Sequence, residues 1–214
     1  MLLATDNMNR TAWHVAAEAG TLDVLQIIWE LAKENLTTEE INNKLLLATD
    51  NMNRTAWHVA AEGGKRGLLQ IIWEFAEKNL TTEELKNKLL LATDSISRTA
   101  WHVAAKGGRL DVLQVIWEWA TENLTREEIN NNLLLATDKR GKTILHNVRG
   151  TGRWDLLLKI WEWAKKNLTT EEINNKLLLA TDEKGRSAWH IAGENVNDFL
   201  DNLMIDEDIL QEGW

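Results

Sequence analysis

The chain has 214 residues, a net charge of −9, 44% hydrophobic residues, 12 tryptophans, no proline and no cysteine. An acidic surface with no run of five Lys or Arg opposes the phosphate neutralisation that nucleic-acid affinity requires, so nucleic acid is not expected as a partner. No apolar run approaches the roughly 20 residues of a membrane span, residues 1–20 lack a charged start followed by an apolar stretch, and the lack of cysteine fits a reducing, cytoplasmic setting.

A fixed period replaces domain counting. The motif Thr55-Ala56-Trp57-His58-Val59-Ala60-Ala61 stands also at Thr11 to Ala17 and Thr99 to Ala105, more loosely at Thr143 to His146, and again from Ser187. All five histidines, His14, His58, His102, His146 and His190, therefore lie 44 residues apart. Residues 1–44 and 45–88 differ at 11 of 44 aligned positions, as duplication or consensus design would produce. The units are 1–44, 45–88, 89–132, 133–176 and 177–214, forming a single array with no domain boundary. The first starts in mid-repeat, as expected of a piece of a longer array.

Each unit opens with Leu-Leu-Ala-Thr-Asp and a short polar stretch, Asn7-Met8-Asn9-Arg10 in the first. Its third position reads Asn9, Asn53, Ser97, Gly141 and Gly185, and Asn and Gly tolerate positive φ best, which predicts a tight turn. Thr11 is placed to cap a short helix through Ala12 to Ala19, with Gly20 ending it in a left-handed cap. A second helix starts near Thr21, with Leu25, Ile28, Trp29, Ala32 and Leu36 at helical spacing and Ile27 and Leu31 as a second stripe. A helix apolar on two sides needs cover on both, so helix 2 is expected between helix 1 and a further element. Thr37-Thr38-Glu39-Glu40 has the form of a capping box leading into Ile41, Leu45 and Leu46, and predicts a third helix.

The fourth unit replaces an alanine pair with Val148 and Arg149 and carries Trp154, which predicts a weaker first helix. In the fifth, Phe199, Leu200, Leu203, Met204, Ile209 and Leu210 keep helical spacing among acids, as expected of a C-terminal cap with a polar outer face.

The pattern Asp50-Asn51-Met52-Asn53-Arg54-Thr55-Ala56-Trp57-His58-Val59-Ala60-Ala61-Glu62-Gly63-Gly64 resembles the ankyrin-repeat signature, with Ala for Pro, Trp for Leu and a period of 44 in place of 33. The resemblance runs to about Ile191. It implies an all-α, ankyrin-like repeat solenoid of three helices per repeat, whose turns and first helices line a concave face that binds other proteins. The variable positions of that face correspond here to Met8, Met52, Ile96 and Arg140 in the turns, and to Glu18, Glu62 and Lys106 at the end of helix 1.

The chemistry of the residues points the same way. A zinc site needs three or four ligands within about 2.3 Å of one ion, whereas histidines on successive layers lie roughly 10 Å apart, so their expected role is to tie neighbouring turns. Carboxylate pairs such as Glu39-Glu40 meet the helix macrodipole. Trp29, Trp73, Trp117 and Trp161 fall on the apolar side of helix 2 and are expected in the core, with Trp119 and Trp163 partly exposed. The six Asn-x-Thr sites (Asn9, Asn35, Asn53, Asn79, Asn123, Asn167) recur with the repeat and are read as its by-products. No phosphate loop or nucleophile arrangement is visible, so neither an enzyme nor a cofactor is expected.

The expected function is a monomeric protein-interaction scaffold. Met8, Met52 and Ile96 would supply apolar contacts, and Arg10, Arg54 and Arg98 charge-assisted ones, to an acidic-apolar segment of a partner protein. The alternative is a structural module assembling end to end through uncapped repeats. An enzyme would need a non-repeated polar cluster, for which only the surroundings of Arg149 and Arg153 offer material.

Overall fold

A computed structural model describes residues 2–149 and 152–187. The expected cap after Ile191, and His190 with it, lie outside the described residues. The chain divides into two compact units, Met1–Thr125 and Arg126–Trp214, and both are helical; among the described residues the only extended pairings are isolated bridges, Thr5 with Thr11 and Thr181 with Ser187.

Unit 1 repeats one local programme. Helix α1 (Ala12–Ala19) follows Thr11 and ends at Gly20, whose φ of 79° satisfies the left-handed cap that a residue with Cβ adopts only under strain. Helix α2 (Leu22–Asn35) carries Leu25, Ile28, Trp29 and Ala32 into the core. A third element opens as a single α turn, α3 (Thr38–Glu40), capped reciprocally: the Glu40 N–H donates to Thr37 Oγ1 at 3.2 Å and the Thr37 N–H to Glu40 Oε2 at 3.2 Å. It then widens into a π-helical segment, π1 (Ile41–Leu46), closed by the Leu47 N–H on the Asn42 carbonyl. The sequence predicts an ordinary third helix, and the correction has a packing reason. Bonding from i to i+5 sets Ile41 over Leu45 and Leu46, and these three are the buried residues of the segment.

The programme returns as α4 (Ala56–Glu62), α5 (Arg66–Asn79), α6 (Thr82–Glu84) and π2 (Leu85–Leu90), then as α7 (Ala100–Lys106) and α8 (Leu110–Asn123). The π segment recurs four times among the described residues, so its widened geometry belongs to the repeat.

Neighbouring copies build the core of unit 1 together. α1 packs on α4 and α4 on α7, while π1 packs on α5 and π2 on α8. Aromatic rings interlock across these joints. Phe75 stacks on Trp29 at 4.1 Å and 3°, with Trp13 tilted against both; Trp119 stacks on Trp73 at 4.8 Å and 13°, with Trp57 tilted against both. Each ring buries roughly 150–250 Å² of apolar surface, so these triads supply much of the cohesion between copies. Trp119 is half-buried by this stacking, as expected, whereas Trp117 is also half-buried where full burial is expected.

The second stripe of α2 is not covered by its own third element. Ile27 is 59% exposed and Leu31 44%, whereas in the matching stripes of later copies Val115 is buried and Phe75 stacks on Trp29 of the copy before it.

Unit 2 holds α9 (Arg126–Ile129), π3 (Asn130–Leu134), α10 (Ile144–Arg149), α11 (Trp154–Asn167) and π4 (Glu172–Leu178). Trp161 and Trp163 are both buried there, the second against expectation, with Lys159 Nζ 5.7 Å from the Trp163 ring. Asn130 Nδ2 donates to the Asn167 carbonyl at 3.0 Å, closing the end of α11, as Asn42 Nδ2 closes α5 on the Asn79 carbonyl at 2.9 Å in unit 1. Among the described residues no helix is long and apolar enough to cross a membrane.

Candidate interaction surface

The turns that precede α1, α4 and α7 form a row in unit 1, and their geometry begins with one aspartate each. Asp50 Oδ1 accepts the N–H groups of Met52 at 2.8 Å and Arg54 at 2.9 Å, while the Asn53 N–H donates to the Asp50 carbonyl at 2.9 Å. Asp6 and Asp94 repeat the pattern with Met8 and Arg10 and with Ile96 and Arg98. The third position of each turn has positive φ: Asn9 59°, Asn53 56° and Ser97 63° in unit 1, Gly141 71° and Gly185 68° in unit 2, as the sequence predicts. At Gly141 a Cβ would lie 2.9 Å from the Thr181 carbonyl oxygen, so close approach adds to the φ requirement.

Successive turns are bonded to each other. The Asn51 N–H donates to the Met8 carbonyl at 3.0 Å and the Ser95 N–H to the Met52 carbonyl at 2.8 Å; Asn9 Nδ2 reaches the Thr49 carbonyl at 2.8 Å and Asn53 Nδ2 the Thr93 carbonyl at 2.7 Å. The histidines join the same ladder. The Thr11 N–H and hydroxyl both approach His14 Nδ1, so this nitrogen is an acceptor, and Nε2–H donates to the Arg54 carbonyl at 3.0 Å. His58 does the same with Thr55 and the Ala92 carbonyl, and His146 in unit 2 with Thr143 and the Arg186 carbonyl. Burial pushes all three imidazoles below their ordinary range, His58 to about 4. Among the described residues no group of three or more His, Cys, Asp or Glu is placed to hold a metal ion.

The arginines that the sequence offers to a partner are engaged within the chain. Arg54 Nε and Nη2 both meet Asp50 Oδ2, at 2.9 and 2.8 Å, and Nη1 meets Glu62 at 3.1 Å. Arg10 holds Asp6 and Glu18 in the same way. Arg98 grips Asp94 at 2.8 and 2.7 Å and is itself buried, so it offers no exposed guanidinium. Burial alone would raise the Asp50 carboxyl, but hydrogen bonds from the Arg54 amide and guanidinium and the Met52 amide outweigh it and hold it below its ordinary value. This device was legible as Asp and Arg four residues apart in four of the five turns: 6 and 10, 50 and 54, 94 and 98, 182 and 186.

Of the other expected contact residues in unit 1, Met8 is 41% and Met52 39% exposed, Ile96 is half-buried, Glu18 and Lys106 are exposed and Glu62 is half-buried. Arg140, in unit 2, is exposed, and its N–H donates to Asp138 Oδ1 at 2.8 Å. Arg153 pairs with the neighbouring Asp155 through two hydrogen bonds, 2.9 and 2.7 Å. No family model matches the chain, and no curated protein matches it.

Proposed function

We propose that the chain is a non-catalytic scaffold, an ankyrin-like repeat solenoid that binds a partner protein along its row of turns. The observation that carries the reading is the pair Met8 and Met52: two exposed, flexible apolar side chains on consecutive turns whose backbones are bonded to one another. A turn with its polar groups already satisfied presents side chains without having to order itself on binding, which lowers the entropic cost of association. With the arginines committed to their own aspartates, the partner segment is chiefly apolar, and Lys106, exposed at the end of α7, offers a cation to an acidic neighbour. A cytoplasmic location belongs to the same reading, supported by the lack of cysteine.

The test is a partner screen against cell extract with the full chain as bait, repeated with Met8→Ser/Met52→Ser. The double variant should lose the captured partner while its stability stays within about 1 kcal/mol, as surface changes usually do. Capture undiminished in the double variant would place binding elsewhere. Arg54 is unsuitable as a probe, because its removal also dismantles the turn.

A further inference from the structure

One ionic device recurs in the turns of unit 1, and the third copy lacks one of its members. Arg10 meets Asp6 through Nε and Nη2 and turns Nη1 to Glu18 at 2.8 Å, and Arg54 meets Asp50 likewise and turns Nη1 to Glu62 at 3.1 Å. The residue eight places after Arg98 is Lys106. Arg98 keeps its grip on Asp94 Oδ2, from Nε at 2.8 Å and Nη2 at 2.7 Å, but among the described residues no carboxylate pairs with its Nη1. The sets Asp6, Arg10 and Glu18; Asp50, Arg54 and Glu62; and Asp94, Arg98 and Lys106 therefore carry net charges of −1, −1 and +1.

Geometry fixes where the spare donor points. A guanidinium is planar, so holding Nε and Nη2 against Asp94 directs Nη1 as in the earlier copies, toward the end of the following helix, here α7. Lys106 stands there, exposed and in no ion pair among the described residues. The ends of α4 and α7 are adjacent, since a Cβ at Gly107 would lie 3.0 Å from the Glu62 carbonyl oxygen, yet Glu62 stays with Arg54. The Arg98 side chain is 6% exposed, against 16% for Arg54 and 25% for Arg10. An enclosed cationic donor gains more from an anion than an exposed one does, because solvent screens the pair less.

We propose that Arg98 Nη1 and Lys106 Nζ together receive a carboxylate of the partner protein, an Asp or Glu side chain placed as Glu18 and Glu62 are in the earlier copies. The net negative sets of those copies repel the same group, so it binds at the third copy alone. That gives the bound segment a direction, with apolar residues over Met8 and Met52 and the acid beyond them. The inference deepens the reading of the turns as a binding row and rests on it.

A random peptide library displayed on phage and panned against the full chain tests it. Peptides kept by the parent should carry Asp or Glu beside apolar residues, and exchanging that acid for Asn or Gln in the synthetic peptide should weaken binding about tenfold or more. Lys106→Glu restores the pattern of the first two copies and supplies the carboxylate within the chain, so the peptides it selects should lack the acid. Lys106→Gln, which adds no charge, should show a smaller loss of the same preference. Apolar peptides without acids, or an acid preference unchanged in Lys106→Glu, would overturn the carboxylate site and leave the turn row standing. Acidic peptides bound undiminished by Met8→Ser/Met52→Ser would overturn the apolar row and leave the carboxylate site, and a parent that enriches no peptide overturns both.

Discussion

His58 spans two repeats: its Nδ1 accepts from Thr55, and its Nε2–H donates to the Ala92 carbonyl at 3.0 Å, so the ring serves the joint only when neutral. A proton on Nδ1 would set donor against donor in a fully buried site, which is why burial drives its pKa to about 4. The unfolded chain binds this proton near pH 6.5 and the folded one only near 4, so stability is complete above the first value and is lost as pH falls toward the second. Urea unfolding should therefore be flat above about pH 7 and weaken by up to about 3 kcal/mol on approach to about pH 4, with His14 and His146 acting in the same direction. A curve flat down to about pH 4 would mean that the imidazoles are solvated.

The same geometry leaves no lone pair on these rings for an ion. Saturating EDTA should leave the melting temperature unchanged, and a fall of several degrees would require metal ligation by the histidines.

Trp57 has no exposed surface and is tilted against Trp73 at 5.8 Å and Trp119 at 5.3 Å, joining the second and third copies. Trp57→Ala should cost roughly 3 to 5 kcal/mol in chemical denaturation, and Leu31→Ala, at a side chain 44% exposed, less than about 1 kcal/mol. Equal costs would contradict the difference in burial.

Asp50→Ala removes the acceptor of two turn amides and the partner of a half-buried guanidinium. Two turn amides lose their acceptor and the guanidinium keeps only Glu62, which together should cost about 1 to 3 kcal/mol and lower the unfolding midpoint. For the exposed Lys33 and Glu30 pair, Glu30→Ala should change stability by less than about 1 kcal/mol. A mild Asp50→Ala would show that water replaces the carboxylate.

At Asn53, φ of 56° and a hydrogen bond to Thr93 select the residue. Asn53→Gly keeps the conformation, as Gly141 and Gly185 do, and should stay within about 1 kcal/mol of the parent; Asn53→Val forces a branched residue into the left-handed region and should cost roughly 1 to 3 kcal/mol. Calorimetric melting of both variants compares them directly.

Several of these features were determined by the sequence alone, because they are settled within a few residues of chain. The 44-residue period, the Thr37 and Glu40 box, the left-handed cap at Gly20 and the positive φ at Asn9, Asn53, Ser97, Gly141 and Gly185 follow from local sterics and short-range hydrogen bonds. The widening of Ile41 to Leu46 was not legible, since the same letters fit an α-helix until a neighbouring copy has to be packed. The fate of the arginines was half legible: the spacing from Asp50 to Arg54 permits a pair, but only the enclosure of the turn shows whether the guanidinium grips it or turns to solvent. Exposure of the second stripe was decided by tertiary structure altogether. Val15 and Val59 are the same residue in the same motif, yet one is 44% exposed and the other 8%, because burial belongs to the presence of a neighbouring copy and no property of the residue itself supplies it.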